Sequence, residues 1–173
     1  LSIDADERIP SELALEIKAA IEVNKPCISF KIPRLSSYCG QFIHHSGWQP
    51  DYVLRLFPRK SAKFSSDIVH ERVLFNGEIK KLNNSMIHFS YETLDEVLDK
   101  TNRYSSAGAE MLFKIGKRSS LSKALLHGLW AFLRTYIFRL GFLDGKMGFI
   151  LAISNAETTY YRYLKLMFLN QSN

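Results

Sequence analysis

The sequence predicts an α/β protein: a mixed sheet with short helices over residues 1–92, then a helical, amphipathic region over 93–173. Three observations carry that expectation. Apolar and polar residues alternate in "CISFKIP", "DYVLRLF" and "SMIHFSY", the period of a half-buried strand. From about residue 93 the apolar positions recur at three- and four-residue spacing instead, with breaks near 116–120 and 141–145. The 173 residues are 46% hydrophobic and 23% charged, enough to bury a core and too apolar for a disordered chain.

The elements follow in order. "LSIDADERIP" sets three carboxylates, Asp4, Asp6 and Glu7, at the end of an apolar start. In an extended chain Asp4 and Asp6 would share a face and repel unless a cation or proton lay between them, so the segment needs either a turn or a metal. Pro10 and Glu12 suit the first turn of a helix, whose face is Leu13, Ile17, Ala20 and Ile21, and Lys25-Pro26 stops it. Ile28, Phe30 and Ile32 make a strand, 34–50 reads as a polar loop, and 51–57 is a second strand with Arg55 set in it. Asn76-Gly77 between two apolar runs predicts a hairpin, and "SMIHFSY" a further strand. A leucine at position 1, with a strand signal beginning at once, reads as the C-terminal part of a larger enzyme.

Charge is unevenly spread. Residues 1–110 carry 14 Lys/Arg against 15 Asp/Glu, whereas 111–173 carry 9 against Asp144 and Glu157 alone. Such a tail suits an anionic partner, a membrane surface or a nucleic acid, or is simply a solvated basic face. On "SLSKALLHGLWAFLRTYIFRL", Leu121, Leu125, Leu129, Phe132 and Tyr136 fall on one side of a helix, and Lys123, His127 and Arg134 on the other. The charges disfavour a spanning helix; one lying in the membrane interface fits, as does a core helix of a soluble protein. Cys27 and Cys39 are too few for a disulfide framework and too far apart for a CxxC site.

Nucleophile-elbow, Walker and HExxH patterns are absent from the sequence, which leaves covalent catalysis and zinc chemistry without their residues. Asp4-Ala5-Asp6, before a helix, could hold Mg²⁺ or Mn²⁺ bridging diphosphate oxygens, or be an acidic helix-start turn. In "VHERV", His70 is a candidate metal ligand and Glu71 a candidate general base, against a plain salt-bridged surface pair. Arg55, Arg59 and Trp48 are candidate acceptor-binding residues, His44 and His45 loop residues near an acceptor, and His88 a satisfied strand histidine.

"SIDADERIPSEL", then "YVLRLFPRKSAKFSSDIVHERV", then "GFLDGKMGFILAISNAETTYYRYLKL" together resemble glycosyltransferase family 2, in the branch that builds the lipopolysaccharide inner core. The resemblance covers essentially the whole chain. It implies the acceptor-side half of a GT-A fold in 1–92, without the nucleotide-binding half, and a membrane-surface region in 93–173. It also implies an inverting, metal-dependent hexosyltransferase, with Asp4 and Asp6 as the DxD pair on donor and metal and Glu71 as the base. The implied partners are a nucleotide-sugar donor, a lipid-linked saccharide acceptor and an anionic membrane surface, with no nucleic acid. The implied place is the cytoplasmic side of the inner membrane. A Glu-Asp pair that many relatives carry is absent from this sequence. A basic membrane-surface or partner-binding module without catalysis is the alternative.

Overall fold

The computed structural model describes residues 1–22, 28–64 and 73–171. The elements run β1 (Glu7–Arg8), α1 (Ser11–Glu22), β2 (Ile28–Tyr38), β3 (Gln41–Phe42), β4 (Tyr52–Leu56), β5 (Ala62–Phe64) and β6 (Val73–Phe75). There follow β7 (Glu78–Lys81), β8 (Met86–Tyr91), α2 (Leu94–Lys114), α3 (Leu121–Leu133) and α4 (Gly145–Gln171). The chain divides into two compact units, Leu1–Ser36 with Pro50–Ser90, and Ser37–Gln49 with Tyr91–Asn173. The predicted class holds: a mixed sheet leads and helices finish.

In the first unit β2 is the central strand. It pairs antiparallel with β4 (Ile32 opposite Val53), parallel with β7 (Ile28 opposite Glu78), and lies beside β8. Helix α1 lays Leu13 and Ile17, one turn apart, on Ile32, Leu56, Leu82 and Met86. Burying each such side chain stabilises the unit by roughly 2 kcal/mol. A bend at Gly77 separates β6 from β7, yet these flanking strands do not pair with each other. β6 pairs with β5, and β7 joins β2. A four-residue ladder on a long central strand outcompetes local closure, because turn chemistry specifies a reversal and not a partner.

The hairpin that does form lies in the stretch read as loop. β2 continues to Tyr38 and returns as β3 through Cys39-Gly40, both with positive φ (48° and 84°), the conformation of a type I′ turn. Cys39 is a free thiol whose pKa burial, and then the Glu96 carboxylate, push up; Cys27 lies outside the described residues.

The second unit is built on small residues. Thr93 caps α2, accepting from the Glu96 N–H, while Glu96 reaches back to the Glu92 N–H. Val97, Thr101, Ser105 and Ala109 form its buried ridge, and Ala124 and Gly128 that of α3. A Cβ on Gly128 would lie 3.1 Å from the Tyr160 Cβ of α4. Hydroxyls bond between helices, Thr101 to Thr158 at 3.1 Å. The leucine stripe read as the apolar side of α3 therefore points away from the helix contacts: Leu125 and Leu129 are more than half exposed. Close approach through Ala124 and Gly128 leaves no room for leucines between the helices. After α3 come a π-helical turn, Arg134–Phe138, and a 3₁₀ turn, Gly141–Asp144. A Cβ on Gly148 would fall on the Gly141 carbonyl, which explains two of the glycines in "GFLDGKMGF". No helix among the described residues is long and apolar enough to cross a membrane.

Candidate functional site

The acidic segment is a turn. The Glu7 N–H donates to the Asp4 carbonyl at 3.1 Å, and the Asp4 N–H donates back to Glu7 Oε2 at 2.9 Å. Beyond the turn β1 pairs with β8, which sets Glu7 opposite His88, and the Phe89 N–H donates to the Asp6 carbonyl. Asp4 and Glu7 share Arg55 and Asp6 meets the His88 imidazole, which relieves the repulsion an extended chain would impose.

Glu7 organises the site. Its side chain is fully buried and takes Arg55 Nη2 at 2.6 Å and Arg34 Nη1 at 3.7 Å. Arg55 also binds the Asp4 carboxylate, and Arg34 is held on its other side by Asp51 at 2.8 Å. Burial alone would weaken the Arg55 charge, but Glu7 and then Asp4 outweigh it and raise its pKa. A buried carboxylate between two arginines fixes the turn from behind, leaving the Asp4 and Asp6 side chains half exposed at 57% and 50%. This places Arg55, read from sequence as acceptor-facing, against the acidic turn.

His88 brings its Nε2 to 3.3 Å from Asp6 Oδ2, while its Nδ1 is 2.9 Å from Ser36 Oγ. Burial, and behind it the Arg34 guanidinium, hold the imidazole below its ordinary pKa, against the pull of Asp6 and Glu7. It is therefore neutral near pH 7, and its tautomer decides what Asp6 meets. With Nδ1–H donating to Ser36, Nε2 presents a lone pair beside the carboxylate, an N,O donor pair for a cation. The Asp6 oxygen suits Mg²⁺ or Mn²⁺, and the imidazole nitrogen suits a transition ion, so the pair fits Mn²⁺ better than Mg²⁺. Among the described residues no third His, Cys, Asp or Glu completes a cage with them.

The other sequence candidates are dispersed. His70 and Glu71 lie outside the described residues. Arg59 is exposed in the turn after β4. Trp48 belongs to the second unit, half-buried among Tyr38 and Tyr91 with ring centroids at 5.9 and 6.2 Å. The sequence marks Glu7 only as one of three acids in the opening segment, does not single out Arg34 or Ser36, and presents His88 as a structural residue. The available signal was a basic residue inside each apolar strand, Arg34 and Arg55, which calls for a buried acid between them.

No family model matches the sequence. The chain is 30% identical over 177 residues to an uncharacterized glycosyltransferase of Rickettsia typhi, spanning 96% of this chain and 61% of that protein. A counterpart in Rickettsia prowazekii matches to the same extent. The lipopolysaccharide core biosynthesis glycosyltransferase LpsC of Rhizobium meliloti is 27% identical over 176 residues, or 94% of this chain and 63% of LpsC. The chain thus spans about three fifths of the curated relatives it matches, and those relatives are glycosyltransferases.

Proposed function

We propose that the protein is an inverting glycosyltransferase of the family 2, GT-A type that moves a hexose, glucose by preference, from a nucleotide diphosphate. The acceptor is a lipid-linked saccharide of the lipopolysaccharide core, met at the cytoplasmic face of the inner membrane. One observation carries the reading: a half-exposed Asp6 carboxylate beside the His88 ring, on a turn locked from behind by buried Glu7 and its arginines. The similarity to glycosyltransferases supports it.

In this reading Asp6 and His88 hold Mg²⁺ or Mn²⁺, with His70 a further candidate ligand. The ion, when bound, supplies Lewis-acid stabilisation of the departing diphosphate. Asp4 orients the donor, while Glu7 and Arg55 keep the turn in place without touching it. Glu71 accepts the proton of the attacking hydroxyl as that oxygen bonds to the anomeric carbon from the face opposite the leaving diphosphate. Arg59 remains the proposed acceptor-side residue of this unit, and Arg55 acts through its hold on the turn.

The test is transfer of labelled glucose from UDP-glucose to isolated core acceptor with Mn²⁺ present. Asp6→Asn is expected to lower turnover by at least about 10³-fold with an unchanged circular dichroism spectrum, and removing the ion with EDTA to do the same reversibly. Undiminished transfer by the variant would take Asp6 out of the mechanism. The exposed leucines of α3 favour a second reading, a membrane-surface module without catalysis. Vesicle binding with no Mn²⁺-dependent UDP-glucose binding in the whole protein would favour that module.

A further inference from the structure

The second unit contains a cavity of about 370 Å³ lined by His44, His45, Gly47, Gln49, Phe138, Arg139 and Leu140. Its construction is unusual for a surface loop. The Asp144 carboxylate, 5% exposed, accepts from the N–H groups of His44 at 3.0 Å and His45 at 3.1 Å, and from Ser46 Oγ at 2.7 Å. His45 Nδ1 also meets it, at 3.2 Å. That acid is therefore satisfied by the loop beneath the cavity. Arg139 is exposed, folds over Gly47, and has no carboxylate partner among the described residues.

Backbone strain converges on the same place. Ser46 and Leu140 both adopt left-handed φ, 59° and 56°, and the π-helical turn Arg134–Phe138 leads directly into the lining. Left-handed conformations cost a side-chain-bearing residue roughly 1–2 kcal/mol each. Such outliers persist where surrounding contacts over-determine them, and they concentrate at ligand sites. Here the Ser46 N–H donates to the Arg139 carbonyl at 2.8 Å, so the two strained segments hold each other.

The lining also has an apolar side. Phe138 and Leu140 are 67% and 45% exposed, and Trp130, 53% exposed, has its ring 5.5 Å from that of Phe138. A guanidinium and two imidazoles call for an anion, and the adjoining aromatic and aliphatic side chains call for hydrocarbon. One class of molecule presents both.

We propose that this cavity binds the phosphate of a membrane amphiphile's headgroup, with Arg139 and the His44–His45 pair on the phosphate and Phe138, Leu140 and Trp130 against the acyl region. The inference rests on the reading that the protein works at a membrane on a lipid-linked acceptor, and it names where such a molecule is gripped.

Binding is tested on the whole protein with phosphatidylcholine vesicles with and without phosphatidic acid, and separately with inorganic phosphate, while NMR follows the His44 and His45 ring signals. Phosphatidic acid vesicles are expected to shift both ring signals. Arg139→Gln should weaken that binding about tenfold, the loss of one charge-assisted contact, whereas Lys123→Gln on the exposed face of α3 changes it less than about twofold. Gly47→Ala supplies an independent check, because its Cβ would displace the Arg139 side chain without altering net charge; the same loss is expected. Equal losses in Lys123→Gln and Arg139→Gln, or unmoved ring signals, overturn the proposal. So does inorganic phosphate binding as tightly as the vesicles, since the apolar side would then contribute nothing. Asp6→Asn separates the two readings: it is expected to keep vesicle binding and lose transfer. A parent protein that transfers no sugar yet shows Arg139-dependent binding would refute the transferase and leave this site standing.

Discussion

Glu7 shows how differently three neighbouring acids act. Asp4 and Asp6 are half exposed, so their contacts to Arg55 and His88 are screened by water and stabilise the fold by less than about 1 kcal/mol each. The Glu7 side chain is fully buried between Arg55 and Arg34. Removing its charge leaves Arg55 and Arg34 only their more exposed partners, Asp4 and Asp51, so Glu7→Gln is expected to destabilise by about 2 kcal/mol, against under about 1 kcal/mol for Asp4→Asn, by urea unfolding at neutral pH. Comparable losses would show that the turn is held by its backbone alone. The clustering of the three acids was legible in the sequence because their spacing is local. The burial of Glu7 was not: its partners lie 27 and 48 residues away, and nothing nearby separates a buried acid from a third surface one.

Among the elements, α1 was read correctly because one face, Leu13 and Ile17, enters one core. Its polar side has a role that periodicity does not reveal. Glu16 receives the N–H groups of Asn83 and Asn84 at 2.8 and 2.9 Å and both side-chain amides, and so pins the loop between β7 and β8. Burial works against its charge, but these four donors outweigh it and lower its pKa. A carboxyl depressed in the folded state stabilises fully above its unfolded value, about 4.3, and that contribution is lost as pH falls through the folded value. Glu16→Gln is therefore expected to cost about 1 kcal/mol at pH 7, with the gap from the parent protein closing in acid. A gap independent of pH would assign the cost to packing. The predicted hairpin and the one that forms differ in opposite directions. Asn76-Gly77 has the preferred turn residues but strands with other partners, and Cys39-Gly40 has an unfavoured first residue but a closed ladder.

At the scale of the whole molecule, the order of strands then helices was plain from the change of period. That 37–49 joins the helical unit was not plain. Its ties, Tyr38 to Ser154 at 2.7 Å and the 44–46 loop to Asp144, span 98 to 116 residues and leave no local pattern. On α3 the small residues Ala124 and Gly128 are buried and Leu125 and Leu129 are exposed, whereas Leu151 and Leu166 of α4 are buried. Replacing Leu125 and Leu129 together by Glu is expected to abolish binding to phosphatidylglycerol vesicles while shifting unfolding free energy by less than about 1 kcal/mol. A large fall in Tm with vesicle binding retained would mean that these leucines face protein.

Asp144 is synthesised about a hundred residues after the loop it clasps. At translation speeds on the order of ten residues per second, His44, His45 and Ser46 wait on the order of ten seconds for their acceptor. Any product of premature termination before Asp144 lacks the clasp and offers an unfastened loop to cellular proteases. The acceptor for this loop thus arrives only with the segment that leads into α4.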